Sequence, residues 1–253
     1  MPTIDILLAG MNVNTDQSNL GLATIALIRG RNNILVDVAH CGRRRLLASA
    51  LASRGLTAED IHMVVLTHAH WDHAQNVDMF PGARFLIHPA ELEYSRSPRK
   101  GDWATPRYFA ATLQGLNVQP VVEGTELEPG VKIIETQGHT RGHISVAVDT
   151  PDGVAVIAGD SFPDAGAVHR GSPYLIFWSK REAEASVRKI MRLSNVIYPG
   201  HDRPFRITSG GSTTYMEGVT AIKVMAGFEE EDMGVGVTIA LEAIKQPFVH
   251  PEA

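Results

Sequence analysis

Apolar residues recur along the first part of the chain in short runs closed by glycine or asparagine. "TIDILLAG", "LATIALIRG" and "NILVDVA" are rich in Ile, Leu and Val, and "GRNN" (Gly30 to Asn33) reads as the turn of a hairpin. Each run is too short for a helix and is bounded by turn residues, so strands are predicted. The period then changes. In "RRRLLASALASRG", Leu46, Leu47, Ala50 and Leu51 share one face of a predicted helix, and Gly55 stands where it would stop. "TAEDI" predicts a short helix capped by Thr57. Downstream, "HMVVLTH" and "ARFLIHP" predict strands and "HAQNVDMF" a short helix. "PAELEYS" predicts a helix with proline at its start.

Residues 96–120 break the pattern, with Pro98, Gly101, Pro106 and Pro120 among aromatics and room for a helix from Pro106 to Leu113. A second β-rich half follows in "TELEPGVKIIETQG", "HISVAVDTPDG" and "VAVIAGDS", with a hairpin turn at "DTPDG". "SKREAEASVRKIMRL" is an amphipathic helix capped by Ser179, with Val187, Ile190, Met191 and Leu193 expected inward. "NVIYPGH" is the last core strand. Strands in both halves with helices between them predict an α/β (α+β) fold of two mixed sheets, face to face, with helices outside. After Ile207 the composition shifts. "TSGGSTT" reads as a flexible connection. The apolar, glycine-interrupted remainder carries an acidic cluster from Glu229 to Asp232. Residues 209–253 are expected to pack back on domain 1–208 or onto a partner chain, because exposure would leave apolar side chains in water.

Composition narrows the function. The 253 residues are 44% hydrophobic and 20% charged with net charge −5, ordinary for a globular protein with a sizeable core. No long Lys/Arg run offers an electrostatic footprint for nucleic acid or an anionic membrane. Arg43, Arg44 and Arg45 are expected as the solvated start of a helix. The single cysteine, Cys41, forms no intrachain disulfide and is expected as a small buried side chain. The N-terminus lacks the pattern of a signal peptide, and no apolar run reaches membrane-spanning length, so a cytoplasmic location is expected.

The chemistry begins where a strand ends. "VVLTHAHWDHAQN" places His68, His70, Asp72 and His73 directly after an apolar run. Imidazole and carboxylate suit Zn²⁺, Fe, Mn or Co, and a catalytic site keeps a position open for water or substrate. Three more strands end alike: His139 closes "IIETQGH", Asp160 closes "VAVIAGD" and His201 closes "VIYPGH". Gly138, Gly159 and Gly200 precede them and permit unusual backbone or close approach. These residues suffice for two adjacent metal ions.

The order H-x-H-x-D-H, G-H, G-D-S, P-G-H resembles the metallo-β-lactamase-fold hydrolase superfamily over about residues 3–208. "FPGARFLIHPAELEY" and "VIYPGHDRPFRI" resemble its small branch typified by metallo-β-lactamase domain-containing protein 1. The resemblance implies a four-layer αβ/βα sandwich. It implies His68, His70 and His139 as ligands of one metal and Asp72, His73 and His201 as ligands of a second. Asp160 would bridge them. The implied cofactors are two divalent ions, zinc foremost, with iron or manganese as alternatives. Water bound between such ions ionises near neutral pH, and Asp72 could orient it or take a proton. His143 and Thr140 in "GHTRGH" read as supports of the ligands or as turn-formers.

Asp160 stands where lactam-cleaving zinc enzymes usually carry cysteine, no inserted nuclease domain is present, and the C-terminal part is acidic. Hydrolysis of a small-molecule ester, lactone, amide or thioester remains, with no nucleic-acid or membrane partner and a homo-oligomer through the C-terminal extension in view. Substrate contacts are expected from the variable segments carrying Tyr94, Trp103, Tyr108, Phe177, Trp178 and Lys180, and in particular from His169 and Tyr174. A phosphodiesterase or nuclease, an iron-dependent oxidoreductase and a non-catalytic binding module are the alternatives. His40, His62, His88 and His250 read as structural or exposed, and Trp71 has no assigned role.

Overall fold

A computed structural model describes residues 1–216, 221–226 and 235–240. Six strands form the first sheet in sequence order: β1 (Thr3–Leu8), β2 (Ile25–Arg29), β3 (Asn33–Val36), β4 (Met63–Val65), β5 (Arg84–Ile87) and β6 (Asn117–Pro120). The first three are antiparallel, and β3 through β6 run parallel. The second sheet has the order β13-β12-β11-β10-β9-β8-β7. Its strands are β7 (Glu126–Glu128), β8 (Val131–Glu135), β9 (Ile144–Thr150), β10 (Gly153–Gly159), β11 (Val196–Pro199), β12 (Phe205–Ile207) and β13 (Thr213–Tyr215). Only β10 and β11 are parallel there.

Strand alternation builds the layers. Ile34 and Val36, Met63 and Val65, and Leu86 meet Val131, Ile133, Ile144, Val146 and Val148 in the core between the sheets. Their neighbours Leu35, Val64 and Phe85 point to the other face, against Leu47 and Leu51 of α1 (Arg44–Ala52) and Phe109 of α4 (Phe109–Thr112). On the outer face of the second sheet, Val156, Ala158 and Ile197 pack on Val187 and Ile190 of α6 (Lys180–Leu193). Helix, sheet, sheet, helix is the four-layer order expected. Truncating a fully buried ring such as Phe85 to alanine costs about 3–5 kcal/mol in cores of this kind.

Remaining elements are short: α2 (Trp71–Ala74), α3 (Pro89–Arg96), α5 (Ala167–Arg170) and a 3-10 turn over Ala58–Asp60 with the predicted Thr57 cap. Several expectations need correction. Met191, Leu193 and Leu46 are 37%, 40% and 58% exposed. Each lies one to three positions from the buried stripe of its helix, at the rim of that face. Cys41 is exposed, in a 3-10 turn before α1. Arg43 is not solvated but buried, with its guanidinium donating to the carbonyls of Ala23 and Ala9. The segment read as a flexible connection includes β13, paired with β12. Beyond it, β14 (Ala221–Ala226) and β15 (Val235–Ala240) form an antiparallel hairpin. The acidic cluster and His250 lie outside the described residues; of the extension 209–253, β13 pairs with the domain, and the packing expected beyond Met216 is not among the described contacts. Among the described residues no helix is long and apolar enough to cross a membrane.

Candidate metal centre

The ends of β4, β8, β10 and β11 converge on one edge of the sandwich. Chain leaving β4 delivers His68 and His70, then turns into α2 with Asp72 and His73. His139 follows β8, Asp160 follows β10, and His201 follows β11. All seven side chains are buried. Nitrogen or oxygen atoms of His68, His70, His139 and Asp160 lie within 4.8 Å of one another, as do those of Asp72, His73 and His201. The sequence-predicted ligands are therefore brought together, in the two groups expected. Asp160 spans both. Its Oδ2 is 3.4 Å from His139 Nε2, and its Oδ1 is 3.3 Å from both His73 Nε2 and His201 Nε2. Asp72 Oδ2 lies 3.4 Å from His201 Nε2.

Each imidazole is oriented from outside. His139 Nδ1 donates to Leu175 O at 2.8 Å and His201 Nδ1 to Leu22 O at 3.1 Å. His73 Nδ1 donates to Asp37 Oδ2 at 2.7 Å, and His68 Nδ1 donates to the Thr67 hydroxyl at 2.9 Å. These bonds leave Nε2 of each ring as a lone pair aimed inward. His70 is turned the other way: Nδ1 faces His139 Nε2 at 3.1 Å while Nε2 sits 3.5 Å from Asp102 Oδ1. Buried His68 Nε2 and Asp160 Oδ1 have no hydrogen-bond partner among the described residues. Converging lone pairs and carboxylate oxygens repel one another unless a cation or protons lie between them, so the donor set fits divalent metal ions.

Electrostatics separate the two groups. Burial, with the neighbouring imidazoles, holds His68 well below the ordinary histidine range, and burial pushes His139 down to about 4. In the other group burial acts the same way but loses. The Asp160, Asp72 and Asp37 carboxylates hold His73 well above its ordinary value, and Asp160 with Asp72 raises His201. Asp160 is opposed by its own burial, yet His201 and His73 keep it well below the usual carboxylate range.

Supporting residues include several that sequence reasoning missed. Asp37 follows β3 with φ +61° and is buried. It accepts from Thr67 N and from the Thr67 hydroxyl, each at 2.8 Å, as well as from His73. A left-handed aspartate in a buried position is strain that the surroundings must hold in place. Asp102 accepts from the Tyr94 hydroxyl and the Thr105 hydroxyl at 2.7 Å each. Glu91 is fully buried and ties two ligand loops together, accepting from Ala69 N at 2.9 Å and Gly142 N at 2.8 Å. His143 accepts from Asp160 N at 3.0 Å, which makes it the support expected. Gly200 has no room for a side chain, since a Cβ there would lie 2.1 Å from Asp160 Oδ1.

A narrow cleft opens over the metal-binding floor, lined by His70, Asp72, His139, Asp160 and His201 below and by Trp71, Trp103, Tyr174 and Phe177 at the sides. Tyr174 is thus at the site. His169 is exposed on α5 and does not line the cleft, because the same short helix turns Ala167 inward two positions earlier. Tyr94 reaches the site only through Asp102, and exposed Lys180 and Tyr108 do not line it. One wall is a ribbon, residues 11–22, in which Met11 bridges Leu22 and Asn14 bridges Asn19. The Arg43 guanidinium clasps the chain on both sides of it, at Ala9 and Ala23. Trp71 now has a place: its indole fills the space beside Gly21 and meets the His40 ring edge-on at 5.2 Å.

Comparison with known proteins agrees with this geometry. Residues 17–201 match the model of the metallo-beta-lactamase superfamily. Metallo-beta-lactamase domain-containing protein 1 of Xenopus laevis is 31% identical over 195 residues, covering 77% of this chain and 76% of that one. The human protein of that name is 33% identical over 193 residues, 74% of this chain, and the chain spans 65% of its length. B. thuringiensis AiiA with N-decanoyl-L-homoserine bound at its active site superposes with a TM-score of 0.63 at 20% identity, over 79% of this chain and 92% of that one. Ligand order, strand-end placement and matched sequence coincide: the chain belongs to the metallo-beta-lactamase superfamily, and its His/Asp groups are those of a metal-dependent hydrolase.

Proposed function

We propose that the protein is a dinuclear metal-dependent hydrolase of a small carbonyl substrate, an ester, lactone, amide or thioester. The observation that carries this reading is Asp160, whose two carboxylate oxygens address two separate histidine groups. His68, His70 and His139 would hold one divalent ion, Asp72, His73 and His201 a second, with zinc the first expectation for both. Such ions lower the pKa of bound water from about 15.7 toward 7 and polarise an acyl oxygen. The chain's own residues do the rest. Asp72 lines the cleft and is placed to take a proton and return it to the leaving group. Phe177 packs on His70 and His139, at 5.0 and 5.5 Å between ring centres, and keeps water from that side. Burial and the nearby Asp160, Asp164 and Asp72 carboxylates hold the Tyr174 hydroxyl well above its ordinary pKa, so it stays a donor for a substrate oxygen.

The phosphodiester alternative is weakened by the cleft itself. Among the described residues no lysine or arginine lines it, so no basic side chain adds to the metal floor in holding a phosphodiester backbone. The test is metal analysis of protein purified without chelator, alongside a panel of esters, lactones and thioesters. About two ions per chain and turnover that His68→Ala abolishes are expected. Less than about one ion per chain, or a His68→Ala variant as active as the wild type, would overturn the reading.

A further inference from the structure

Outward from the metal floor the cleft widens into a vestibule of about 880 Å³ of space open to solvent. Its lining is unusual in kind. The ribbon contributes Asn12, Asn14, Thr15, Gln17, Ser18 and Asn19, and the opposite side contributes Trp103, Tyr174 and Leu175. Every ribbon residue is an uncharged hydrogen-bonding side chain. The charged residue of the same turn, Asp16, is not part of the lining. Alternation explains the sorting: Met11, Val13, Leu20 and Leu22 pack together on one face, which leaves Asn12, Asn14 and Asn19 on the other. Within the described residues the side-chain amides of Asn12, Asn14 and Gln17 make no hydrogen bond. Asn19 uses its oxygen for Gly21 N at 2.8 Å and keeps its NH₂ free. Trp103, 59% exposed, presents a flat apolar face across from them.

We propose that this vestibule selects a neutral, multiply hydroxylated substrate, a sugar lactone or an acylated sugar, whose scissile carbonyl reaches the metal floor. The inference deepens the hydrolase reading above and rests on it. A carboxamide both donates and accepts, as a hydroxyl does, so the carboxamides of Asn12, Asn14, Gln17 and Asn19 match a polyol, while the Thr15 and Ser18 hydroxyls hold the turn itself. An aromatic face takes the C–H side of the same ring. A long alkyl chain would gain contact only on the Trp103 and Leu175 side and would leave the carboxamides it covers without partners, which is costly. An anionic group in the vestibule would find no lysine or arginine side chain. In the reaction, water oxygen bonds to the acyl carbon, the acyl C–O bond breaks, and the departing alkoxide takes a proton. Atoms balance with no oxidant or second substrate.

The experiment compares kcat/KM of the metal-loaded protein for two lactones with the same five-membered ring, D-galactono-1,4-lactone and γ-nonalactone, with p-nitrophenyl acetate as a third substrate. The hydroxylated lactone should be preferred by about tenfold or more. Asn14→Leu and Asn12→Leu should each shift the ratio toward the alkyl lactone by about tenfold, with metal content and melting temperature as checks on folding. A wild type that prefers γ-nonalactone, or a ratio unmoved in both variants, overturns the substrate class while leaving the hydrolase standing. Hydrolysis of none of the three substrates by protein carrying its metals overturns this substrate class, and the hydrolase reading falls with it only if the wider panel of esters, lactones and thioesters is also left intact.

Discussion

The floor of the cleft and its ribbon wall are built by opposite rules. On the floor four rings are oriented from outside by a hydrogen-bond acceptor, a carbonyl for His139 and His201, a threonine hydroxyl for His68 and a carboxylate for His73, while Asp102 stands 3.5 Å from His70. Asp37 and Thr67 follow β3 and β4, the Leu22 carbonyl comes from the foot of the ribbon, and the sheets behind them are fully packed. On the wall the chain is held by a four-residue apolar cluster and the Arg43 clasp, and its polar side chains face open space. A rigid centre pre-orders chemistry, and a lightly held loop carries recognition. Substitutions on the floor should therefore change metal content and turnover together. Substitutions on the wall should change which substrate is used.

The largest effect tests the floor. Asp160→Asn keeps the shape but removes the charge shared by both groups, and kcat/KM should fall by about a thousandfold, with less metal retained. Parallel kinetics and metal analysis measure it. Near-normal turnover at full metal content would mean that the carboxylate does not join the two groups. Smaller effects come from the residues that orient ligands. Asp102→Asn should weaken metal binding at the group containing His70, and Asp37→Asn at the group containing His73, each by about 10–100-fold. A staged metal titration separates them. Loss of the same stage in both variants would contradict the two-group arrangement.

Much of the floor was legible in the sequence because its signal is local. A histidine or aspartate that abruptly ends an apolar run needs no tertiary knowledge to be noticed, and His68, His139, Asp160 and His201 all do so. Asp37 ends β3 by the same rule, but apolar Val38 and Ala39 follow and disguise the break. Its left-handed backbone has no trace in composition. Asp102 carried a turn signal, since its carboxylate accepts from the backbone of Ala104 and Thr105, yet its approach to His70 is made only by folding. The wall was missed for a different reason. Its strands meet through isolated bridges, so Met11 to Leu22 has the alternation of a hairpin without the length of one. His169 and Tyr174 looked alike as loop residues; only the direction of α5 tells them apart.

Acidity should split the floor itself. His68 and His139 are held low and enter metal binding already neutral, so those two rings have no proton to release. His73 and His201 are raised by carboxylates and therefore keep their protons to higher pH than His68 and His139 when no metal is bound. Metal must displace those protons, which makes affinity at the second group fall as pH falls. Lowering the pH from neutral toward the value of about 4 that marks His139 should strip the second group first. Titration at several pH values reads this, and equal pH slopes at both stages would remove the distinction.

The smallest effect is expected where wall meets floor. Gly21 has φ +50°, and a Cβ there would lie 2.2 Å from the Trp71 ring and 2.7 Å from Asp72 Cβ. Gly21→Ala should cost about 2 kcal/mol from backbone strain and displaced contacts. Because the ribbon is lightly held, it can shift outward to relieve the clash. KM should then rise several-fold while metal content stays at the wild-type level. Trp71→Ala removes the larger of the two obstacles, so adding it to Gly21→Ala should recover about 1 kcal/mol in a double-mutant cycle read by denaturant melts. Additive losses would show that Trp71 does not buttress the ribbon. Loss of metal from Gly21→Ala would show more: the ribbon would then hold Asp72 in place, and wall and floor would be one mechanical unit.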